Sequence, residues 1–495
     1  MLNWYNIESD AIIAEMYTKE YVGKLVDPVF IKNEISKHKK SLKYEHMVQG
    51  VAYYNEQHKI LDSKENVIDI GGQSHTILHK SNFKPVHDFH TLFVDHKKDY
   101  LVGNSLIITF DDQVVDTDKN VVIDLLGANF TENIQELVLG TSNKSEEWGH
   151  YFVDTNGLFN WVVIPAEQVI AFYDGKFDKF LSAVLRYYTE VVTNIETGKE
   201  QKINRVEWWT PEDVTYYKST GNGTYAKDPD YEVNPRPHVI KGDFLENEEK
   251  KELQADEKFS FGSVPFIPLY NNTARKTDLQ PIKSLIDLYD KLIATGANTI
   301  VDLQEAIWEV KGYEGSDIKE LTKKLKQFKV VNLASDQGSG IQGHQLDIPW
   351  DARKDLLEKT RKAIYEQGRA VNTSSDEFKN DPSGAALRAM YNPLEIKTNA
   401  LQSNIITFVG RLLVAGNKFS KEFLNVEIPL DKIKIMLDKS MLMSNKENAE
   451  IAKDSKGVIS DKTIVENHPW VSDPDEELNR LEEQRKKQRE ENDFE

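Results

Sequence analysis

The chain of 495 residues contains no cysteine. Disulfide staples, thiolate zinc ribbons and thiol catalysis are therefore excluded. No apolar run approaches the roughly 18 residues that a membrane-spanning helix requires, so no membrane contact is expected. The opening residues, Met1-Leu2-Asn3-Trp4-Tyr5, lack the basic patch and apolar stretch of a secretory signal, and a leader is not expected. Positive charge is also short: 62 Lys and Arg face 81 Asp and Glu, a net charge of −19. A protein that grips DNA by neutralising phosphates carries clustered positive charge, and this composition argues against one. It leaves room for a wall that encloses DNA without holding it, because a mostly negative surface repels phosphate.

Motifs that would announce an enzyme are missing as well. There is no Walker A sequence, so a P-loop ATPase is not expected. Gly338-Ser339-Gly340-Ile341-Gln342-Gly343 matches G-x-G-x-x-G after a strand-like run. A dinucleotide site needs a helix to start at once so that its amides hold the pyrophosphate. Here the next helix waits until about Asp351, behind Pro349, and the glycines read as a hairpin tip. His75 and His79 stand four apart, with His87, His90 and His96 following. Two histidines on one helix face could hold a metal, but the Glu of H-E-x-x-H is absent and partly buried polar histidines fit better. Glu146 and Glu147 are adjacent, so on a strand they point to opposite faces and cannot form an acid pair. No catalytic residue, cofactor or metal is expected.

What the chain does contain is a change of character near its middle. Hydrophobic residues at 39% and charged residues at 29% suit folded cores in several domains. Residues 1–60 read as helical, with Ile31, Ile35, Leu42, His46, Val51 and Tyr54 at three- to four-residue intervals. Phe89 to Leu101 suggests another helix. Residues 148–240 read as antiparallel strands, with Asn156-Gly157 marking a hairpin between Tyr151-Phe152-Val153 and Trp161-Val162-Val163-Ile164.

From Asp278, a natural helix cap, the residues Ile282, Leu285, Ile286, Tyr289, Leu292, Ile293, Ile300, Leu303 and Ile307 form one apolar stripe. As one helix, residues 278–309 would be about 48 Å long, with Gly296 weakening the middle. Residues 310–349 read as a small α/β segment, and a second helix runs over 350–371. Residues 372–383 have loop composition. A third long helix starts near Gly384, and Pro393 should kink it. Six lysines and three acids between Lys311 and Lys329 make a mild basic patch, usually just a solvated face. The final residues, 473–495, carry ten acids and five bases and read as a solvated helix or as disordered.

The ordered landmarks resemble the portal protein family of tailed phages, in the branch typified by phage SPP1. The carriers are His46-Met47-Val48-Gln49-Gly50-Val51-Ala52-Tyr53-Tyr54-Asn55 with His58-Lys59-Ile60-Leu61, and Phe89-His90-Thr91-Leu92-Phe93-Val94-Asp95 with Tyr100-Leu101-Val102-Gly103. Further on come Tyr151-Phe152-Val153-Asp154, Arg186-Tyr187-Tyr188, Val264-Pro265-Phe266-Ile267-Pro268 and Leu285-Ile286-Asp287-Leu288-Tyr289-Asp290. Ser383-Gly384-Ala385-Ala386-Leu387 and Val458-Ile459-Ser460-Asp461-Lys462-Thr463 complete the set. Their order and spacing, from about residue 40 to 478, carry the resemblance more than any one of them.

The resemblance implies an α+β portal fold and a ring, usually of twelve copies, around a tunnel for double-stranded DNA. It implies a β-rich wing with N-terminal helices over 1–277, stem helices over 278–309 and 350–371, and a clip over 310–349 between them. A tunnel loop over 372–383, a long kinked wing helix over 384–416 and a crown with a charged tail over 417–495 follow. Asp376, Glu377, Lys379 and Asp381 are then expected to face DNA, contacting backbone without sequence preference. Lys319, Lys323, Lys324 and Lys326 are expected on the clip's partner surface. The implied partners are further copies of the chain, the terminase large subunit, major capsid and scaffolding proteins, and a head-completion adaptor. The implied location is the capsid portal vertex of the virion, after assembly in the host cytoplasm. The competing readings are another phage head protein, such as a minor capsid or connector component, and a metal-dependent hydrolase using His75 to His96.

Overall fold

The computed structural model describes residues 26–64, 67–70, 73–76, 81–111, 113–173, 181–193, 198–219, 223–240, 258–302, 307–311, 340–344, 350–373, 384–437, 439, 453–466, 471 and 474–492. These residues combine helices with antiparallel sheets in an α+β fold and group into two units. The larger lies within Met1–Gly50, Leu92–Asp278 and Arg369–Glu495; the smaller lies within Val51–Thr91 and Leu279–Gly368.

In the larger unit the Asn-Gly signal works as its chemistry requires. Strands Glu146–Val153 and Phe159–Ile164 pair antiparallel, and Phe266–Tyr270 joins the free side of the first. In the turn, the Asp154 carboxylate accepts the Asn156 and Leu158 amides at 2.9 and 3.0 Å. Gly157 takes φ 77°, a conformation that suits glycine. Helix Gly384–Phe419 lies on this sheet and buries Leu401, Ile405, Phe408 and Leu412 with Trp161 and Tyr151. The approach is close enough that a Cβ on Gly149 would sit 2.4 Å from Phe408 Cζ. Helices Asp116–Leu126 and Phe130–Lys144 close the same core, and the Trp161 indole donates to the Leu126 carbonyl at 2.9 Å. The helix continues through Pro393 and ends in a π-turn, Ser420–Leu424.

A second sheet is a meander of Val169–Tyr173, Leu181–Thr193, Glu200–Trp209, Asp213–Ser219 and Tyr225–Lys227, with Arg236–Pro237 added to the fourth strand. Helix Pro28–Lys39 starts on an Asp27 cap with proline at its first position, and buries Ile31 and Ile35 on this sheet against Leu185, Val206 and Trp208. Near the C-terminus, Ile433–Met436 pairs with Ile107–Phe110, and helix Pro474–Asn492 carries the charged tail.

The smaller unit holds helices Lys283–Asp302 and Trp350–Gly368, which pack together so closely that a Cβ on Gly296 would meet Arg353 Nη1 at 3.0 Å. Gly296 thus lies where the two helices approach closely. The first helix begins five residues later than the sequence indicated. Asp278 is not its cap: its amide donates to the Ser142 carbonyl at 2.9 Å and its side chain is buried in an ionic cluster. Nor does the helix reach 309, because Ile307–Lys311 is a strand paired with Gly340–His344. Gly340 and Gly343 therefore lie in a strand instead of a hairpin tip. Helix Trp350–Gly368 stops short of 371 because Arg369 takes φ 51°, left-handed backbone that cannot continue an α-helix.

Candidate functional site

Two segments were expected to do the work, and both lie outside the described residues: Asp376, Glu377, Lys379 and Asp381 of the loop, and Lys319, Lys323, Lys324 and Lys326 of the clip. What frames each of them is described. Strands Ile307–Lys311 and Gly340–His344 put Lys311 opposite Gly340. The two residues that flank 312–339 are therefore neighbours.

The frame of residues 374–383 belongs to the larger unit. On the near side Val371 is buried; on the far side are Tyr391 and Leu394 of helix Gly384–Phe419. All three pack on Tyr100 of helix Phe89–Val102, and the Tyr100 and Tyr391 rings lie 5.8 Å apart. Burial raises both phenol pKa values above their ordinary range. The Lys439 ammonium sits 5.8 Å from the Tyr100 ring centroid, within cation–π reach.

One helical turn away on the same two helices is an ionic cluster. Lys97 donates to the Asp278 carboxylate at 2.9 Å and to the Asn271 amide oxygen. Lys397 reaches Asp278 at 3.3 Å, and the Asn271 amide donates to its other oxygen at 2.9 Å. Burial alone would raise the Asp278 carboxyl. The positive charges of Lys397 and Lys97, with the Asn271 and Lys97 hydrogen bonds, outweigh that and hold it well below the usual carboxylate range. Burial pushes Lys97 down to about 8, with Asp278 opposing the shift. The cluster fastens helix Phe89–Val102, helix Gly384–Phe419 and the chain at Asp278 to one point. It holds charge and aligns no nucleophile or proton donor on an open cleft.

The histidines divide. His75 lies in strand Gln73–Thr76 opposite Ile68, and His79 falls outside the described residues. His90 is buried, and His96 joins no metal-ligating group. His87 instead gives its Nδ1–H to Asp290 at 2.8 Å, while His58, not among the histidines weighed as metal ligands, gives its own to the other oxygen at 2.7 Å. Burial would raise the Asp290 carboxyl, but the two imidazole hydrogen bonds and the charge of the rings keep it below its ordinary value. Among the described residues no group of three or more metal-ligating side chains is assembled. Glu146 and Glu147 do diverge: Lys43 reaches Glu146 at 2.6 Å, whereas Glu147 takes Lys144 at 2.5 Å and the Ala166 amide at 2.7 Å.

Neither the Lys97–Asp278 cluster nor the separate pairing of Asp290 with two histidines was read in the sequence. A signal was available, since Asp290 interrupts an apolar stripe between Ile286 and Ala294, and a polar residue there needs a buried partner. The partner itself, 232 residues away at His58, could not be read.

Comparison with known proteins gives one consistent answer. The family described as "Phage portal protein, SPP1 Gp6-like" matches residues 33–491. A portal protein of Clostridium phage phiCD119 is 29% identical over 441 residues, covering 87% of this chain and 90% of the relative. A portal protein of Bacillus phage SPP1 is 30% identical over 450 residues, covering 89% of this chain and 84% of its own length. A chain in the solved virion of a native gene transfer agent particle is 8% identical, covers 76% of this chain and 88% of its own, and has a TM-score of 0.37. A likeness that loose carries no argument.

Proposed function

The chain belongs to the SPP1 Gp6-like family of phage portal proteins, and from that membership we propose that twelve copies close into a ring that conducts double-stranded DNA during packaging and ejection. The observation that carries the reading is the family match over residues 33–491. As a portal protein it is a structural component of the virion. In the proposed anatomy, helices Lys283–Asp302 and Trp350–Gly368 are the stem, the segment between them is the clip, and residues 372–383 are the tunnel loop. The N-terminal helices and β-rich region to 277 and the helix over 384–416 form the wing, and 417–495 forms the crown.

The chemistry follows from that anatomy. Asp376, Glu377 and Asp381 repel phosphate and keep the duplex from adhering, while Lys379 makes transient backbone contacts without sequence preference. A net charge of −19 per copy acts in the same direction over the whole wall. Motor work belongs to a separate terminase ATPase docking at the clip, where Lys319, Lys323, Lys324 and Lys326 meet it and later the head-completion adaptor. Major capsid and scaffolding proteins surround the ring, which is assembled in the host cytoplasm.

Native mass spectrometry with negative-stain imaging tests the assembly. The expected particle holds about twelve 56.8 kDa subunits around a central hole, since closed cyclic symmetry is what a conduit needs. A compact dimer or tetramer without a channel, formed at any concentration, contradicts it.

A further inference from the structure

In the smaller unit, residues 81–88 have no regular secondary structure, yet they are tied along helix Lys283–Asp302 in order. The Asp302 carboxylate accepts the Ser81 amide at 2.8 Å, Asn298 Oδ1 accepts the Phe83 amide at 2.7 Å, and Asp290 accepts His87 Nδ1 at 2.8 Å. As the segment advances, its partners recede, so the two run antiparallel. The acceptors at 290, 298 and 302 are multiples of four apart and follow one i, i+4 row, which winds about 120° around the helix between 290 and 302. From 290 to 302 the helix rises about 18 Å. From 81 to 87 a fully extended chain spans about 20 Å. An extended segment is therefore long enough to reach all three acceptors.

Its register is unique for a chemical reason. The other positions on that row are Ile286 and Ala294, whose side chains offer no acceptor, so sliding the segment by one helical turn in either direction leaves two of its three donors without one. The end at His87 is fixed most firmly. The ring stands edge-on to Tyr289 at 4.8 Å, and His58 shares the same carboxylate while stacking on Tyr53 at 4.3 Å. Tyr53 in turn donates to Asp287, which Lys283 reaches at 2.9 Å. The helix accepts these three hydrogen bonds through side chains, not through a backbone ladder, and Phe83 is 54% exposed. Such a segment can lift without unfolding the helix beneath it.

We propose that residues 81–88 are a strap that locks the axial register of helix Lys283–Asp302 and opens as a single unit. That the locked helix is a stem helix rests on the portal reading; the strap itself does not. The test is hydrogen exchange by mass spectrometry on the full chain, with fragmentation fine enough to resolve residues 81–88. Asp290→Asn removes one imidazole contact at one end. Exchange at the distant Ser81 and Phe83 amides should rise about tenfold, equivalent to about 1.4 kcal/mol, with helix Trp350–Gly368 unchanged. Asp302→Ala, at the other and more exposed end, should speed the Phe83 amide similarly. Because the chain has no cysteine, a single disulfide from Ser81→Cys with Asp302→Cys can close the strap, and should restore Phe83 protection in the Asp290→Asn background. Faster exchange only at the edited end, or spreading through helix Lys283–Asp302 as a whole, overturns the strap. The portal reading would stand in either case, because ring formation is read separately by native mass.

Discussion

Replacing Asp278 by alanine removes the anion that two lysines share. Lys97, 1% exposed, is left as a buried ammonium with Asn271 as its remaining hydrogen-bond partner in the cluster, while Lys397 has the route to water that partial exposure gives. Breaking a buried pair from one side costs about 3–5 kcal/mol, a large share of the roughly 5–15 kcal/mol that holds a domain together. A single unfolding midpoint is poorly defined for a multi-unit chain, so the informative assay is local hydrogen exchange in helices Phe89–Val102 and Gly384–Phe419. More than a hundredfold acceleration there is expected, because each 1.4 kcal/mol is about tenfold. Lys97→Met should cost far less, about 1 kcal/mol, since Asp278 keeps Lys397 and Asn271. Adding Lys97→Met to Asp278→Ala should recover most of the loss. The deficit of Asp278→Ala should also narrow as pH rises toward 8, where Lys97 sheds its proton in the parent as well. Acceleration below threefold, or Lys97→Met as damaging as Asp278→Ala, refutes the reasoning.

Other consequences can be checked on the same preparation. Gly149→Ala drives a methyl to 2.4 Å from Phe408 Cζ and should cost about 1–3 kcal/mol, read as faster local hydrogen exchange in strand Glu146–Val153 and helix Gly384–Phe419, with Phe408→Leu relieving most of it. Gly50→Ala should be worse, because its Cβ would lie 1.9 Å from the Asn143 carbonyl oxygen and backbone cannot swing aside; poor soluble yield is the readout. Asp278 and Asp290 both have folded pKa values below their ordinary ones, so the stability they add is present above about pH 4 and lost as pH falls below it. An acid titration of Asp290→Asn should therefore be flatter in that range than the parent's.

Local signals were legible where the chemistry is local. Asn156-Gly157 gave the hairpin, the periodicity of Phe89 to Leu101 gave its helix, and adjacency separated Glu146 from Glu147. Helix ends were less legible because distant groups compete for them: Asp278 looks like a cap until Ser142, Lys97 and Lys397 claim its amide and carboxylate. Ile307 looks like one more step of an apolar stripe until Gly340–His344 supplies a strand partner. The strap was invisible for the same reason. Nothing in residues 81–88 announces that a helix more than two hundred residues away carries acceptors at the matching spacing.

In the proposed ring, DNA passes residues 372–383. The most direct measurement places a unique cysteine at Lys379→Cys, possible because the chain has none, and attaches a photo-crosslinker before particles are stalled during packaging. Adducts to both DNA strands are expected, spread along the genome without sequence preference, with far fewer from the same label at Val458, which is 82% exposed but lies in the proposed crown. Packaging-competent rings that give no adduct at Lys379→Cys would contradict that path.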